Sequence, residues 1–297
     1  MSFIFKPNVR YRMPVVFGPA PGPRQKHDGT PWTAEDSGTA NVQWATLGYR
    51  THKEKLEALL PPGFALNGDP MVYVTLAFFR DLYWLAGRGY GLVNAEVPVI
   101  YTGKNETVQG GLCLSIWEGR PDAITTGREE LGFPKLFADI PDVRLNPDSG
   151  SISGQASWFD FKFFEMEMHG FEETTVESRQ LPGAPGGPMF YKYMPRTAPF
   201  GTGGADVTYV TTSQPLPGAP ASLSPIRFED AKFKKWKAKG GSVKWHKATF
   251  EQLPTTCHVV NGIADLDILE YVSAEMIEFS GPGVMVATNS HRLVEPA

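Results

Sequence analysis

Apolar and polar positions alternate along much of this chain, and that period of two sets the expected architecture. Residues 41–51 alternate and predict a strand. His52 to Leu60 then switches to helical spacing, with Leu56, Leu59 and Leu60 on one face and Pro61-Pro62-Gly63 as the stop. Met71 to Phe79 is rich in β-branched and aromatic residues and reads as a strand, followed by a loop or bend from Arg80 to Gly91. Ala95 to Thr102 and Gly111 to Trp117 are strands, with Lys104-Asn105-Glu106 in the turn between them. Asp122 to Leu131 predicts about two helical turns, and Pro134 ends any helix before Lys135. Lys135 thus falls where the chain leaves a helix and enters a strand.

Short strands and turns follow, at 150–156, 159–169, 174–179, 190–194 and 205–212, with loops at Pro182 to Pro188 and Pro215 to Pro225. Residues 265–276 suit either period. Many short strands against two or three helices, with 31 glycines and 26 prolines at the turns, predict a mainly β protein that closes into an antiparallel barrel or sandwich. Residues 1–40 carry Pro19-Ala20-Pro21-Gly22-Pro23, which cannot be helical, and predict an extended N-terminal arm; residues 41–297 form one domain.

Composition narrows the function classes. A 297-residue chain with 41% hydrophobic residues can bury a sizeable core. No segment has eighteen apolar residues in a row, and Met1 to Lys6 lacks the apolar core of a secretory signal, so a cytoplasmic protein is expected. A net charge of −4 argues against nucleic acid, although Lys232, Lys234, Lys235, Lys237, Lys239, Lys244 and Lys247 interleave with Trp236 and Trp245. The two cysteines, Cys113 and Cys257, make neither a disulfide framework nor a four-cysteine zinc site. Glu165, Glu167 and His169 share one face of a strand, which reads as a solvated face rather than a metal site.

The chemistry concentrates at Lys135, which sits between Phe133, Pro134, Leu136 and Phe137. A lysine titrates near pH 10.4, and apolar surroundings lower that value toward a free amine able to attack a ketone. Lysines among aromatic residues also lay their stems on apolar surface and keep the ammonium in water. The run Gly127-Arg128-Glu129-Glu130-Leu131-Gly132-Phe133-Pro134-Lys135 resembles the active-site segment of the acetoacetate decarboxylase superfamily. Tyr49-Arg50-Thr51 with Leu56, Pro61-Pro62 and Pro70-Met71-Val72 resembles that family's opening helix and next strand, and Tyr90 with Val97-Pro98-Val99 its following segment. Met189 to Pro195, and Gly241-Ser242-Val243 through Leu253-Pro254, are similar to its later parts, in the same order.

The resemblance implies a β-barrel fold with a few outer helices, homo-oligomers, and Lys135 as a Schiff-base lysine that needs no organic cofactor or metal. It also exposes departures. The lysine that follows the Schiff-base lysine in the decarboxylases is Leu136 here, so desolvation by Phe133, Leu136 and Phe137 is expected to replace an adjacent cation. Acetoacetate decarboxylase is itself an established instance of lysine activation by these routes. A shift of three to four pKa units requires about 4–5 kcal/mol. The family's glutamate two residues after Tyr90 falls at Leu92, a second glutamate at Thr75, and an arginine at Val42; Asn94 or Glu96 takes over the first if the register slides. Arg50 and Arg128 are candidate carboxylate binders, Glu129 an orienting or proton-transfer group, and Tyr90, Leu92, Glu96, Phe133 and Leu136 candidate substrate contacts.

These departures favour aldol-type carbon–carbon chemistry on a small keto acid such as pyruvate, with an aldehyde as second substrate, over decarboxylation of a β-keto acid. Enamine formation needs a base to remove the C3 proton, and Tyr90, Tyr101, Glu96, Glu118 and Glu129 are the candidates. A non-catalytic small-molecule-binding barrel is the third reading.

Overall fold

The computed structural model describes residues 5–16, 22–176, 181–214, 231–282 and 284–296. The strands, in chain order, are β1 (Thr39–Arg50), β2 (Phe64–Leu66), β3 (Met71–Leu82), β4 (Arg88–Thr102), β5 (Thr107–Glu118), β6 (Lys135–Phe137), β7 (Ser151–Trp158), β8 (Phe161–Thr174), β9 (Pro188–Pro195), β10 (Ala205–Thr212), β11 (Lys232–Trp245), β12 (Glu270–Pro282) and β13 (Arg292–Val294). They form one sheet in the order β13-β10-β9-β5-β4-β3-β1-β12-β11-β8-β7, with β2 on β4 and β6 on β5. Neighbours are antiparallel except β5 with β6 and β5 with β9. The protein is mainly β, as the alternation predicts.

The sheet curls until its β7 end reaches the segment after β6, which pairs with β5 inside the order. After β6 the chain runs on to Asp139, whose backbone exchanges two hydrogen bonds with Ser157 of β7, at 2.8 and 2.9 Å. The ring therefore closes through β5, β6 and β7, and β6 is its shortest strand. Inside, Trp117 of β5 lies 5.4 Å from Phe163 of β8 and 5.3 Å from Trp245 of β11, ring centroid to ring centroid. Trp236 is buried as well, so the tryptophans of the lysine-rich strand belong to the barrel core and not to a basic surface. The opposite face of the same strands carries a second apolar cluster that includes Val42, Ala77, Phe79, Leu92, Cys113, Ile116 and Phe190.

Helices are few: α1 (Lys53–Glu57), α2 (Pro121–Thr126), α3 (Cys257–Ala264) and α4 (Val284–Ala287). None of the described helices is long and apolar enough to cross a membrane. One local expectation is corrected and one open stretch is resolved. The stretch Arg80 to Gly91 is not one loop: β3 runs on to Leu82, one 3-10 turn follows, and left-handed Ala86 (φ 52°) and Gly87 (φ 80°) return the chain into β4. The ambiguous stretch 265–276 resolves to β12, after a helix at Cys257–Ala264 that the pattern did not show. Within the described part of the first forty residues, Arg24 and Gln25 are buried. The predicted loop 215–225, and residues 177–179 of the predicted strand 174–179, lie outside the described residues.

Because Trp117 joins opposite walls of the ring, Trp117→Ala is expected to lower unfolding free energy by about 3–5 kcal/mol in urea titration.

Candidate active site

Lys135 owes its position to three consecutive backbone devices. Residues Gly127–Leu131 form one π-helical turn continuing α2, a local irregularity of the sort that collects at functional sites. Gly132 then turns left-handed (φ 80°), which only glycine does without cost. Pro134 cannot extend the helix, and its carbonyl accepts from Ile116 N–H at 3.1 Å to start the parallel pairing of β6. Strand alternation then aims Lys135 at the outer cluster and Leu136 at the barrel core. Phe137 is 42% exposed. Of the three residues expected to desolvate Lys135, Leu136 faces the barrel core and Phe137, on the lysine's face of β6, is largely exposed beside Phe159; Phe133 does cover the lysine, its ring centroid 5.4 Å from Nζ.

The lysine is 4% exposed, and its Nζ lies 2.8 Å from Oε1 of Glu118, which is 1% exposed. Nζ also donates to the Ala123 carbonyl at 3.1 Å. Glu118 Oε2 is buried with no hydrogen-bond partner among the described residues. Burial pushes the Lys135 ammonium below its ordinary pKa; Glu118 opposes the shift, and the guanidinium of Arg24 adds to it. A neighbouring cation is thus available after all, from a position remote in sequence. The lysine stem runs against Gly127, where an added Cβ would lie 2.5, 2.6 and 2.9 Å from Cδ, Cε and Nζ. Gly127 has ordinary helical φ and ψ, so space is what demands glycine there.

Around this pair, Phe133 stacks on Phe190 at 3.7 Å, and the His291 ring meets Phe133 edge-on at 5.2 Å. His291 Nε2–H donates to the Leu131 carbonyl at 2.7 Å, and burial drops its pKa to about 4, so it is neutral at pH 7. Tyr90 packs on Phe79 at 5.0 Å, and its hydroxyl is pushed far up by burial and by Glu118.

The other expected site residues divide. Leu92 lies in the outer cluster, directly opposite Glu118 across the β4–β5 ladder. A carboxylate therefore stands on the neighbouring strand, paired with the position of Leu92. Glu96, four residues along β4, lies some ~13 Å further on at strand rise and does not replace it. It accepts from Asn94 Nδ2 at 2.8 Å and from the Ala184 backbone, and burial raises its pKa to about 7. Arg128 is exposed and donates to the Lys135 carbonyl at 2.9 Å, bracing the backbone of β6. The Glu129 carbonyl accepts from Lys192 Nζ at 2.7 Å. It is Glu130 whose Oε1 accepts from Thr126 at 2.5 Å, beside Arg24. Arg50 is tied at the surface to Asp69 and Glu270, and Tyr101 packs on Phe64 in the barrel core. Arg24 was not foreseen; a lone arginine in a proline-rich stretch carries no periodicity to mark it.

A curled β-sheet closed by a short strand that bears a buried lysine paired with a carboxylate defines the class to which this protein belongs. The chain is a member of the acetoacetate decarboxylase family, whose sequence model matches residues 13–287. The acetoacetate decarboxylase of Clostridium botulinum is 25% identical over 139 residues, 45% of this chain and 54% of that protein, so the match spans about half of the relative's length. The crystal structure of acetoacetate decarboxylase from Legionella pneumophila superposes with TM-score 0.60 at 20% identity, over 89% of this chain and 90% of that one. The enduracididine biosynthesis enzyme MppR superposes with TM-score 0.60 at 14% identity, over 86% and 88% of the two chains. At such identities these structures establish the shared fold.

Two stability measurements probe this arrangement. Gly127→Ala forces the Lys135 stem aside and is expected to lower unfolding free energy by about 1–3 kcal/mol in urea; an unchanged midpoint would contradict the close contact. For Glu96, between pH 4.5 and about 7 the folded carboxyl holds a proton that the unfolded chain has released. Its contribution to stability is therefore lost as pH rises through that window, by about 2–3 kcal/mol. Urea titrations at pH 5 and pH 8 should show Glu96→Gln gaining that amount relative to the parent protein.

Proposed function

We propose that the protein is a Schiff-base enzyme that acts on small keto acids through Lys135, and that it makes or breaks carbon–carbon bonds by way of an enamine. The observation that carries this reading is the buried Lys135–Glu118 contact of 2.8 Å, a desolvated amine with a proton acceptor in hydrogen-bond reach.

The sequence of steps follows from the contact. Glu118 takes a proton from the ammonium, and the freed amine adds to the substrate ketone. Returned to the carbinolamine hydroxyl, the same proton lets water leave, which yields a protonated imine on Lys135. With a 2-oxo acid such as pyruvate, Glu118 then removes a C3 proton, and the electron pair shifts into the iminium to give the enamine. The enamine carbon adds to an aldehyde, and hydrolysis of the new imine releases the product. In this scheme Tyr90, whose hydroxyl is kept protonated by burial and by the charge of Glu118, donates a hydrogen bond to the developing alkoxide. MppR has been solved in complex with the condensation product of pyruvate and imidazole 4-carboxaldehyde, and that complex supports this direction.

Decarboxylation of a β-keto acid is the second reading, favoured by the names of the relatives. It uses the same imine but requires no base at C3; the enamine left by loss of CO₂ instead takes a proton at that carbon.

Borohydride with pyruvate is expected to fix a carboxyethyl adduct on Lys135, found by intact mass and peptide mapping and absent from Lys135→Ala; acetoacetate is tested in parallel. In heavy water the methyl protons of pyruvate should exchange, and Glu118→Gln should slow that exchange by about 10²–10⁴-fold while the slower imine still forms. Trapping with acetoacetate alone, or exchange undiminished in Glu118→Gln, would remove the enamine reading.

A further inference from the structure

Arg24 is 5% exposed, yet among the described residues no carboxylate lies within ion-pair distance of it. Its Nε donates to Thr126 Oγ1 at 3.3 Å and its Nη1 to the Met285 sulfur at 3.4 Å, a weak acceptor. Among the described residues, no acceptor meets its Nη2. Glu130, in the π turn that follows α2, is engaged through the Thr126 hydroxyl at 2.5 Å, so it shares the neighbourhood of the guanidinium without pairing with it. The face of Trp84 lies 5.9 Å from the guanidinium carbon. Glu118, Tyr90 and Lys135 all act on Arg24 or feel its charge.

A planar guanidinium that the described residues engage only through Thr126 and the Met285 sulfur matches a carboxylate oxygen for oxygen. We propose that Arg24 is the carboxylate receptor of this site and that the substrate is a 2-oxo acid whose carboxylate survives the reaction. This proposal rests on Lys135 forming the imine. The chemistry of the two readings separates at this point. Loss of CO₂ sends the carboxylate's electron pair toward the iminium, and a guanidinium that stabilises the starting anion more than the departing CO₂ raises that barrier. Enamine chemistry leaves the carboxylate charge untouched, so the same contact only fixes C1 and C2 relative to the lysine. Arg24 at one end and Lys135 at the other then hold the two adjacent carbons that define a 2-oxo acid.

The test compares two ketones that differ by the carboxylate. Borohydride trapping of pyruvate and of acetone is measured against concentration for the parent protein and for Arg24→Gln. The half-saturating pyruvate concentration is expected to rise about tenfold or more, as for loss of a charge-assisted hydrogen bond, with acetone changed by less than about threefold. An equal shift for both ketones, or none for pyruvate, overturns the assignment. Propionate, a carboxylate without the ketone, should compete with pyruvate in the parent protein; failure to compete overturns the proposal even if Arg24→Gln does not fold. A parent protein that traps neither ketone sinks the Schiff-base reading, and calorimetric titration with propionate then decides Arg24 separately. Heat of binding in the parent but not in Arg24→Gln supports the receptor, and no heat in the parent overturns it.

Discussion

A lysine and a glutamate pressed together out of water are costly to hold, and much of this structure is arranged to hold them. Desolvating two opposite charges costs several kcal/mol each, and their attraction repays that only with close geometry and further hydrogen bonds. Here Nζ has Oε1 of Glu118 and one carbonyl, and Oε2 has no partner among the described residues. The pair is under-satisfied, a poor device for stability and a suitable one for reactivity. Its persistence depends on parallel pairing of β6 with β5, which fixes the backbone beneath Lys135, and on Gly127, which leaves room for its stem. The stack of Phe133 on Phe190 closes the apolar side. Arg128 directs its charge to the Lys135 carbonyl, keeping the strand in register from outside the site.

The placement of Glu118 illustrates how a ladder transmits position. Directly opposed residues on neighbouring antiparallel strands occupy nearly the same place on the sheet. Leu92 and Glu118 are such a pair, so the sheet carries a carboxylate one strand spacing from Leu92. Comparison of positions along the chain registers the loss at Leu92 and is blind to the carboxylate across the ladder. Glu118 was among the candidate bases in the sequence, but only the register of β4 on β5 puts it beside Lys135.

The same distinction separates what was legible from what was not. Strands β1, β3, β5, β8 and β10, and the second half of β4, were legible from runs of β-branched, aromatic and alternating residues, although β1, β3, β4 and β5 bury both faces and so blur the period of two. The lysine motif was visible because its glycine, proline and aromatic residues are local determinants of one backbone path. The turn at Tyr83–Leu85 was hidden by glycines that read as loop yet sit inside paired strands. Trp236 and Trp245 resembled a basic aromatic surface, since alternation alone does not tell which face of a strand meets the core. Arg24 was illegible for a different reason: its burial depends on contacts with α2 and with Met285, more than two hundred residues away in sequence.

The brevity of β6 has a consequence for the life of the chain. Lys135 belongs to the three-residue segment through which the ring closes, so its surroundings exist only when the ring is complete. In a nascent or unfolded copy the same side chain is an ordinary hydrated ammonium with a pKa near 10.4, inert toward carbonyl compounds at neutral pH. The depressed ammonium pKa of Lys135 therefore exists only in finished molecules. Topology acts here as a safety catch, released by completion of the fold.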